Sequence, residues 1–190
     1  MDFSRDPVLN PIYGGIRRGI QVALDNECWG AAVILMFSAM DAMANLARPE
    51  EHPEVKDDDF MRWVERYIVL NSPHRITPEE LYSIRCAVLH TYGVKSRRTA
   101  MGRARVIAFT ITGKSPIVYN PQTVENFMLL DIQFLAAALF RGVDRFMIDT
   151  FADPVKKKLV EPRLKELLNT VPYSKLEQEQ GKKNKNGSSL

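Results

Sequence analysis

The chain has 190 residues, 45% of them hydrophobic and 26% charged, with a net charge of +3, proportions that describe one folded domain, or one domain with an appendage. Cys28 and Cys86 are too few for a disulfide framework and stand at no metal-ligand spacing, so neither a metal nor a cofactor is expected. The longest apolar stretch, Ala31 to Phe37, stops at Ser38, and the start Met1-Asp2-Phe3-Ser4-Arg5-Asp6 lacks the basic and apolar regions of a secretion signal. A chain without a membrane span and with a cytoplasmic location is the expectation.

In chain order, Ile12, Ile16, Ile20 and Leu24 recur every four residues and predict a first helix over 11–24, weakened at its start by Gly14, Gly15 and Gly19. A second helix, 27–47, is apolar on most sides through Trp29, Val33, Met36, Phe37, Met40 and Met43, and reads as the central core helix. An acidic linker, 50–59, leads to a third helix, 60–70, with Phe60, Trp63, Val64, Tyr67 and Ile68 on one face. Thr77, Pro78 and Glu80 then mark a fourth helix with a T-x-x-E capping box, and Gly93 is its expected stop. The β-branched run 105–112, the turn Gly113-Lys114-Ser115-Pro116 and Ile117-Val118-Tyr119 predict a β-hairpin. Asn120-Pro121 opens a long fifth helix reaching Phe151 through Phe127, Leu130, Phe134, Leu139 and Phe146. The domain is expected to end at 153, with 154–190 a polar extension holding a short helix at 162–169 and a disordered tail from Gly181.

The net charge conceals a polarity. No acid occurs from Leu81 to Val124, a stretch carrying Arg85, Lys95, Arg97, Arg98, Arg103, Arg105 and Lys114, so +7 falls there and −4 on the remainder. A solvated loop kept soluble by charge explains such a run, and so does a surface for phosphates. Within it, Ala108-x4-Gly113-Lys114-Ser115 satisfies a permissive Walker A pattern. It lacks the glycine-rich turn from strand into helix that cradles phosphates, and the β-branched run after Pro116 predicts a strand instead. No G-x-S-x-G occurs.

The fourth helix carries the most informative group, Leu81-Tyr-Ser-Ile-Arg85-Cys-Ala-Val-Leu-His90-Thr-Tyr92. At about 100° per residue Arg85 and Tyr92 align to within about 20°, whereas His90 lies about 140° from Arg85. Leu81, Ile84, Val88 and Leu89 surround Arg85, so its guanidinium needs a partner. On the second helix Ser38, Asp41 and Asn45 form one polar stripe at i, i+3 and i+7, and Asp41 could hold Arg85 if the two helices pack. Such a pair could equally serve only to orient a core.

Arg85-x4-His90 followed by Tyr92 matches the R-x4-6-H motif of the HEPN (higher eukaryotes and prokaryotes nucleotide-binding) superfamily, and in its R-x4-H-x-Y form it resembles the HEPN toxins. With 15 Arg and 3 His in the chain, the short pattern arises by chance about 0.7 times, and the longer one about 0.01 times. Trp29-Gly-Ala-Ala-Val through Ser38-Ala-Met-Asp41-Ala-Met is similar to the family's second helix, and the resemblance covers about residues 10 to 150. Next to the motif arginine, where members commonly carry a polar residue, stands Cys86.

The resemblance implies a mainly α fold, an antiparallel helical bundle with the hairpin inserted between the motif helix and the last long helix. It implies a metal-independent endoribonuclease that acts as a homodimer on single-stranded RNA, as a toxin or defence effector. Arg85 and His90 would be catalytic, with Asp41, Tyr92, Ser38 and Asn45 in support, and Lys95, Arg97, Arg98, Arg103, Arg105 and Lys114 would hold RNA. The alternative is a non-catalytic HEPN dimer that binds RNA, a nucleotide, or a partner nucleotidyltransferase or other antitoxin.

Overall fold

The computed structural model of the chain describes residues 9–119 and 127–168. A π-helical segment, Pro11–Arg17, contains Gly14 and Gly15 and runs directly into α1, Arg18–Asp25. Trp29–Ala47 forms α2, Asp57–Tyr67 forms α3 and Pro78–Thr91 forms α4. One short turn, α5 at Arg97–Ala100, precedes β1 at Val106–Thr110, β2 at Ile117–Tyr119 and β3 at Phe127–Asp131. Ile132–Ala152 is α6 and Pro154–Leu164 is α7. The protein is therefore mainly helical, with one small sheet of three strands.

Helix α2 is the hub. It packs against α1, α3, α4, α6 and α7, and Met36, Phe37, Met40, Met43 and Leu46 are wholly enclosed. By length and composition it could cross a membrane, contrary to the reading of its apolar run as too short, because Ser38 and Asp41 interrupt it too sparsely to lower its hydropathy. Half of it is buried by the surrounding helices. Against it, Trp63 and Tyr67 of α3 meet Phe146 of α6, with ring centroids 5.4 to 6.2 Å apart and two of the three ring pairs edge-on. Gly142 permits that approach: a Cβ there would stand 2.6 Å from the carbonyl oxygen of Tyr67.

The sheet departs from the expected hairpin. Strands β1 and β2 do not pair with each other; both pair with β3, in the order β1-β3-β2, β1 parallel and β2 antiparallel to it. Residues 127–131, expected as part of the fifth helix, supply this central strand. Phe127, Leu130 and Phe134 have helical spacing, but a short apolar run fits a strand buried between two neighbours equally well. Asp131 makes the switch. Its Oδ1 accepts the backbone N–H groups of Gln133 and Phe134, capping α6, while Oδ2 accepts from Gly113 N–H and Thr112 Oγ1. Gly113, with φ of 63°, thus belongs to a turn between strands and opens no helix, which disposes of the Walker A resemblance.

The chain through Leu164 shares one core. Helix α7 starts at Pro154, earlier than the expected 162–169, and buries Val160 and Leu164 in the same cluster as α2 and α6. Arg163 Nη1 donates to the carbonyls of Leu46 and Arg48 at the end of α2. The expected tail from Gly181 lies outside the described residues.

Helix α4 begins as its capping box requires, with Thr77 Oγ1 accepting from Glu80 N–H and Glu80 Oε2 accepting from Thr77 N–H. The same carboxylate takes both Nε and Nη2 of Arg105, at 2.6 and 2.9 Å, so the start of α4 is clamped to the start of β1. Burial pushes the Glu80 carboxyl up, but the hydrogen bonds from Arg105 and Thr77 more than offset it and leave it below its ordinary value. A lowered folded-state value means stability that is present above the unfolded-state pKa of about 4.3 and lost as pH falls through the folded value. Glu80→Gln is expected to cost about 1.5 to 3 kcal/mol at neutral pH, with the gap from wild type closing below about pH 4 in thermal melts recorded across pH.

Candidate functional site

The arginine face of α4 meets α2 where the spacing placed it. Arg85 donates through Nε and Nη2 to one oxygen of Asp41, Oδ2, at 2.8 and 2.7 Å, and each side chain keeps about a fifth of its surface exposed. Burial pushes the Asp41 carboxyl above its ordinary value against the pull of Arg85 and the weaker pull of His90. For Arg85, burial is outweighed by the bond to Asp41, and the guanidinium is held in its charged form. His90 is exposed in the last turn of α4, and its influence on Asp41 places it in the same electrostatic neighbourhood.

Tyr92 does not continue the helix. It takes the left-handed conformation, φ 52° and ψ 30°, and ends α4 one residue before the expected stop at Gly93. Its N–H reaches Val88 O and that of Gly93 reaches Ala87 O, a closure that glycine usually makes. For a residue with a Cβ this conformation costs roughly 1 to 2 kcal/mol. The ring is laid over Gly30 at the start of α2, so closely that a Cβ on Gly30 would stand 1.8 Å from the Tyr92 hydroxyl. Tyr92 still shows 70% of its surface. It therefore leaves the helical face that spacing assigned it and becomes one wall of an apolar cleft of about 330 Å³, shared with Trp29, Phe109 and Ile111.

The other supporting residues are not drawn to Arg85. Ser38 is exposed on α2, and Asn45 Oδ1 accepts from Arg48 Nη1 at 2.8 Å. The partner that spacing missed is Tyr82, whose ring lies 5.7 Å from the Arg85 guanidinium and 4.6 Å from that of Arg98. Tyr82 stands three residues before Arg85 on the same helix, so the first contact was available in the sequence. The second, with Arg98, was not.

The six loop cations divide. Arg98 pairs with Asp57 at 3.0 Å and Glu79 at 3.2 Å, and Arg105 is held by Glu80 and lies over the Tyr119 ring. Both cations are engaged by acids of the chain itself, so less of their charge is free for a phosphate. Lys95, Arg97 and Arg103 are exposed with no ion pair among the described residues. Lys114 is likewise exposed, three residues beyond Ile111 of the cleft wall. Among the described residues no group of three or more His, Cys, Asp and Glu is placed to hold a metal ion.

Comparison of the chain with protein-family models, with curated proteins and with solved structures finds no match.

Removing one partner of a half-buried ion pair leaves the other desolvated and unpaired. Asp41→Ala is expected to destabilise the fold by about 1 to 3 kcal/mol. In a double-mutant cycle with Arg85→Ala, measured by chemical denaturation, the two losses should be clearly less than additive; additive losses would mean that the pair is not coupled.

Proposed function

We propose that this chain is a HEPN-like helical protein and a metal-independent endoribonuclease that acts on single-stranded RNA as a homodimer. The observation that carries the reading is the Arg85–Asp41 pair with His90 exposed beside it, at the end of a helix that leads directly into the cationic loop. Nε and one Nη nitrogen share an edge of the guanidinium, which Asp41 takes through Nε and Nη2; the Cys86 side chain also reaches the guanidinium, and a phosphate would meet the donors that remain.

The chemistry follows from these groups. A base removes the proton from a ribose 2′-OH, the 2′-oxygen attacks the adjacent phosphorus, and the 5′-oxygen leaves with a proton from an acid, giving a 2′,3′-cyclic phosphate. Imidazole exchanges a proton near neutral pH and suits both steps, and a guanidinium neutralises the charge gathering on the phosphorane. In an in-line displacement the attacking 2′-oxygen and the leaving 5′-oxygen stand on opposite sides of the phosphorus, out of reach of one imidazole at once, and a second chain would supply the second imidazole together with a second Arg85. Lys95, Arg97, Arg103 and Lys114 would hold the RNA backbone. As a toxin or defence effector such an enzyme would be kept in check by a partner, and Tyr92, 70% exposed, would be the residue a nucleotidyltransferase modifies once its hydroxyl lifts off Gly30.

Incubated with total RNA in EDTA, the wild-type chain should yield fragments ending in 2′,3′-cyclic phosphate, and His90→Ala should lower the rate at least a hundredfold while its thermal melt stays that of wild type. Undiminished cleavage by His90→Ala would sink the assignment. RNA binding without turnover by the wild type would favour the non-catalytic dimer instead.

Salt dependence separates the loop cations. Changing Lys95, Arg97 and Arg103 together to Gln should reduce the slope of log affinity against log salt for single-stranded RNA by about 2. Arg98→Gln, measured in the same titration, should leave the slope nearly unchanged and lower the melting temperature.

A further inference from the structure

Away from the Arg85 face, a partly open cavity of about 160 Å³ is lined by α3, α6 and α7 and by Ala47 at the end of α2. Trp63 and Thr150 line it and are 2% and 1% exposed. Neither the indole Nε1 nor the Thr150 hydroxyl has a hydrogen-bond partner among the described residues. More than nine in ten buried polar groups in folded proteins are bonded, and two orphans in the wall of one cavity call for an acceptor that the chain does not itself supply.

The rest of the wall narrows the choice. Phe146, Leu159 and Val160 provide an apolar surface, and Arg62, Arg66 and Lys156 bring three cations, each already facing an acid: Asp59 at 3.4 Å, Asp149 at 3.4 Å and Asp153 at 3.3 Å. Asp59, the acid in the wall, is already committed: its Oδ2 accepts from Lys56 N–H and faces His52 Nδ1 at 2.8 Å, and its Oδ1 faces Arg62 at 3.4 Å. An apolar cavity of about 150 Å³ is known to take one benzene ring, so this space has the size of a single ring. Two unpaired donors, cations able to make a second bond and an aromatic surface together select an acceptor with a flat apolar body, and a carboxylate has one oxygen for each donor.

We propose that this cavity binds a small aromatic carboxylate, its ring against Phe146, Leu159 and Val160, its carboxylate accepting from the Trp63 N–H and the Thr150 hydroxyl, with Lys156 and Arg66 shared between it and Asp153 and Asp149. None of Arg85, Asp41 or His90 lines it. The site therefore stands whether or not the chain cleaves RNA.

The probe is benzoate, with neutral benzamide as its isostere. In the full chain carrying Trp29→Phe, Trp63 is the one remaining indole, and its emission reports on the cavity. Titration with benzoate should give a saturable change in emission and raise the melting temperature, and benzamide should bind at least tenfold more weakly. Thr150→Val, which keeps the side-chain shape, and Lys156→Met should each weaken benzoate at least tenfold. Lys156 is only partly buried, so its variant carries the test if Thr150→Val does not fold. No saturable response to benzoate, equal affinity for benzamide, or unchanged affinity in the folded variants would overturn the proposal. So would a crystal grown with benzoate that shows only ordered waters on Trp63 Nε1 and Thr150 Oγ1.

Discussion

A guanidinium set among leucines and valines on a helix face cannot be left without a counter-charge, and Arg85 meets that constraint through Asp41 on the neighbouring helix. Much else is arranged around this pair. Helix α2 is buried by five other helices, yet its Asp41 position stays open enough for a charged pair to keep contact with water. Burial pushes the Asp41 carboxyl above its ordinary value, and the guanidinium pulls against that shift. Where α4 crosses α2, the helix also delivers His90 to the surface and, two residues later, lays Tyr92 on Gly30. Ion pair and aromatic lid together tie the end of α4 to the length of α2.

The second organising interaction is the clamp between Glu80 and Arg105, which joins the other end of α4 to the first strand. Helix α4 is thus held at its start by one ion pair and in its middle by another, and the cationic loop leaves from its C-terminal end. The positive charge of that loop is only partly available to a ligand. Arg98 and Arg105 are neutralised by Asp57, Glu79 and Glu80, all of them outside the acid-free stretch. Charge counted along the chain cannot register acids that the fold brings in from α3 and from the first turn of α4. Charge in excess remains on Lys95, Arg97, Arg103 and Lys114, which is the part that the proposed RNA surface uses.

Trp63 and Tyr67 illustrate how little of a site shows in a periodic pattern. Their spacing on α3 marks them as core, and they are core. Nothing in that spacing reveals that the Trp63 indole N–H ends in a cavity wall beside Thr150 without a partner, since hydrogen-bond satisfaction depends on which helices close over a residue. The same holds for Tyr82, held between two guanidiniums of which one comes from the following loop.

What the sequence by itself determined was the local chemistry: the capping box of α4, the apolar run of α2, and a cation on α4 matched by an acid on α2. These are set by helix periodicity and by residues within a few positions of each other, where the chain is its own environment. Tertiary structure alone decided the rest. Residues 127–131 became a strand because two other strands offered hydrogen bonds on both sides, and Asp131 could then cap the following helix. Tyr92 abandoned its helical phase because Gly30 left room for its ring. Two of the six loop cations were diverted because acids distant in sequence lie within 3.5 Å of them. In each case a contact between distant segments outweighed a local preference worth roughly 1 kcal/mol, which is more than a periodic pattern can anticipate.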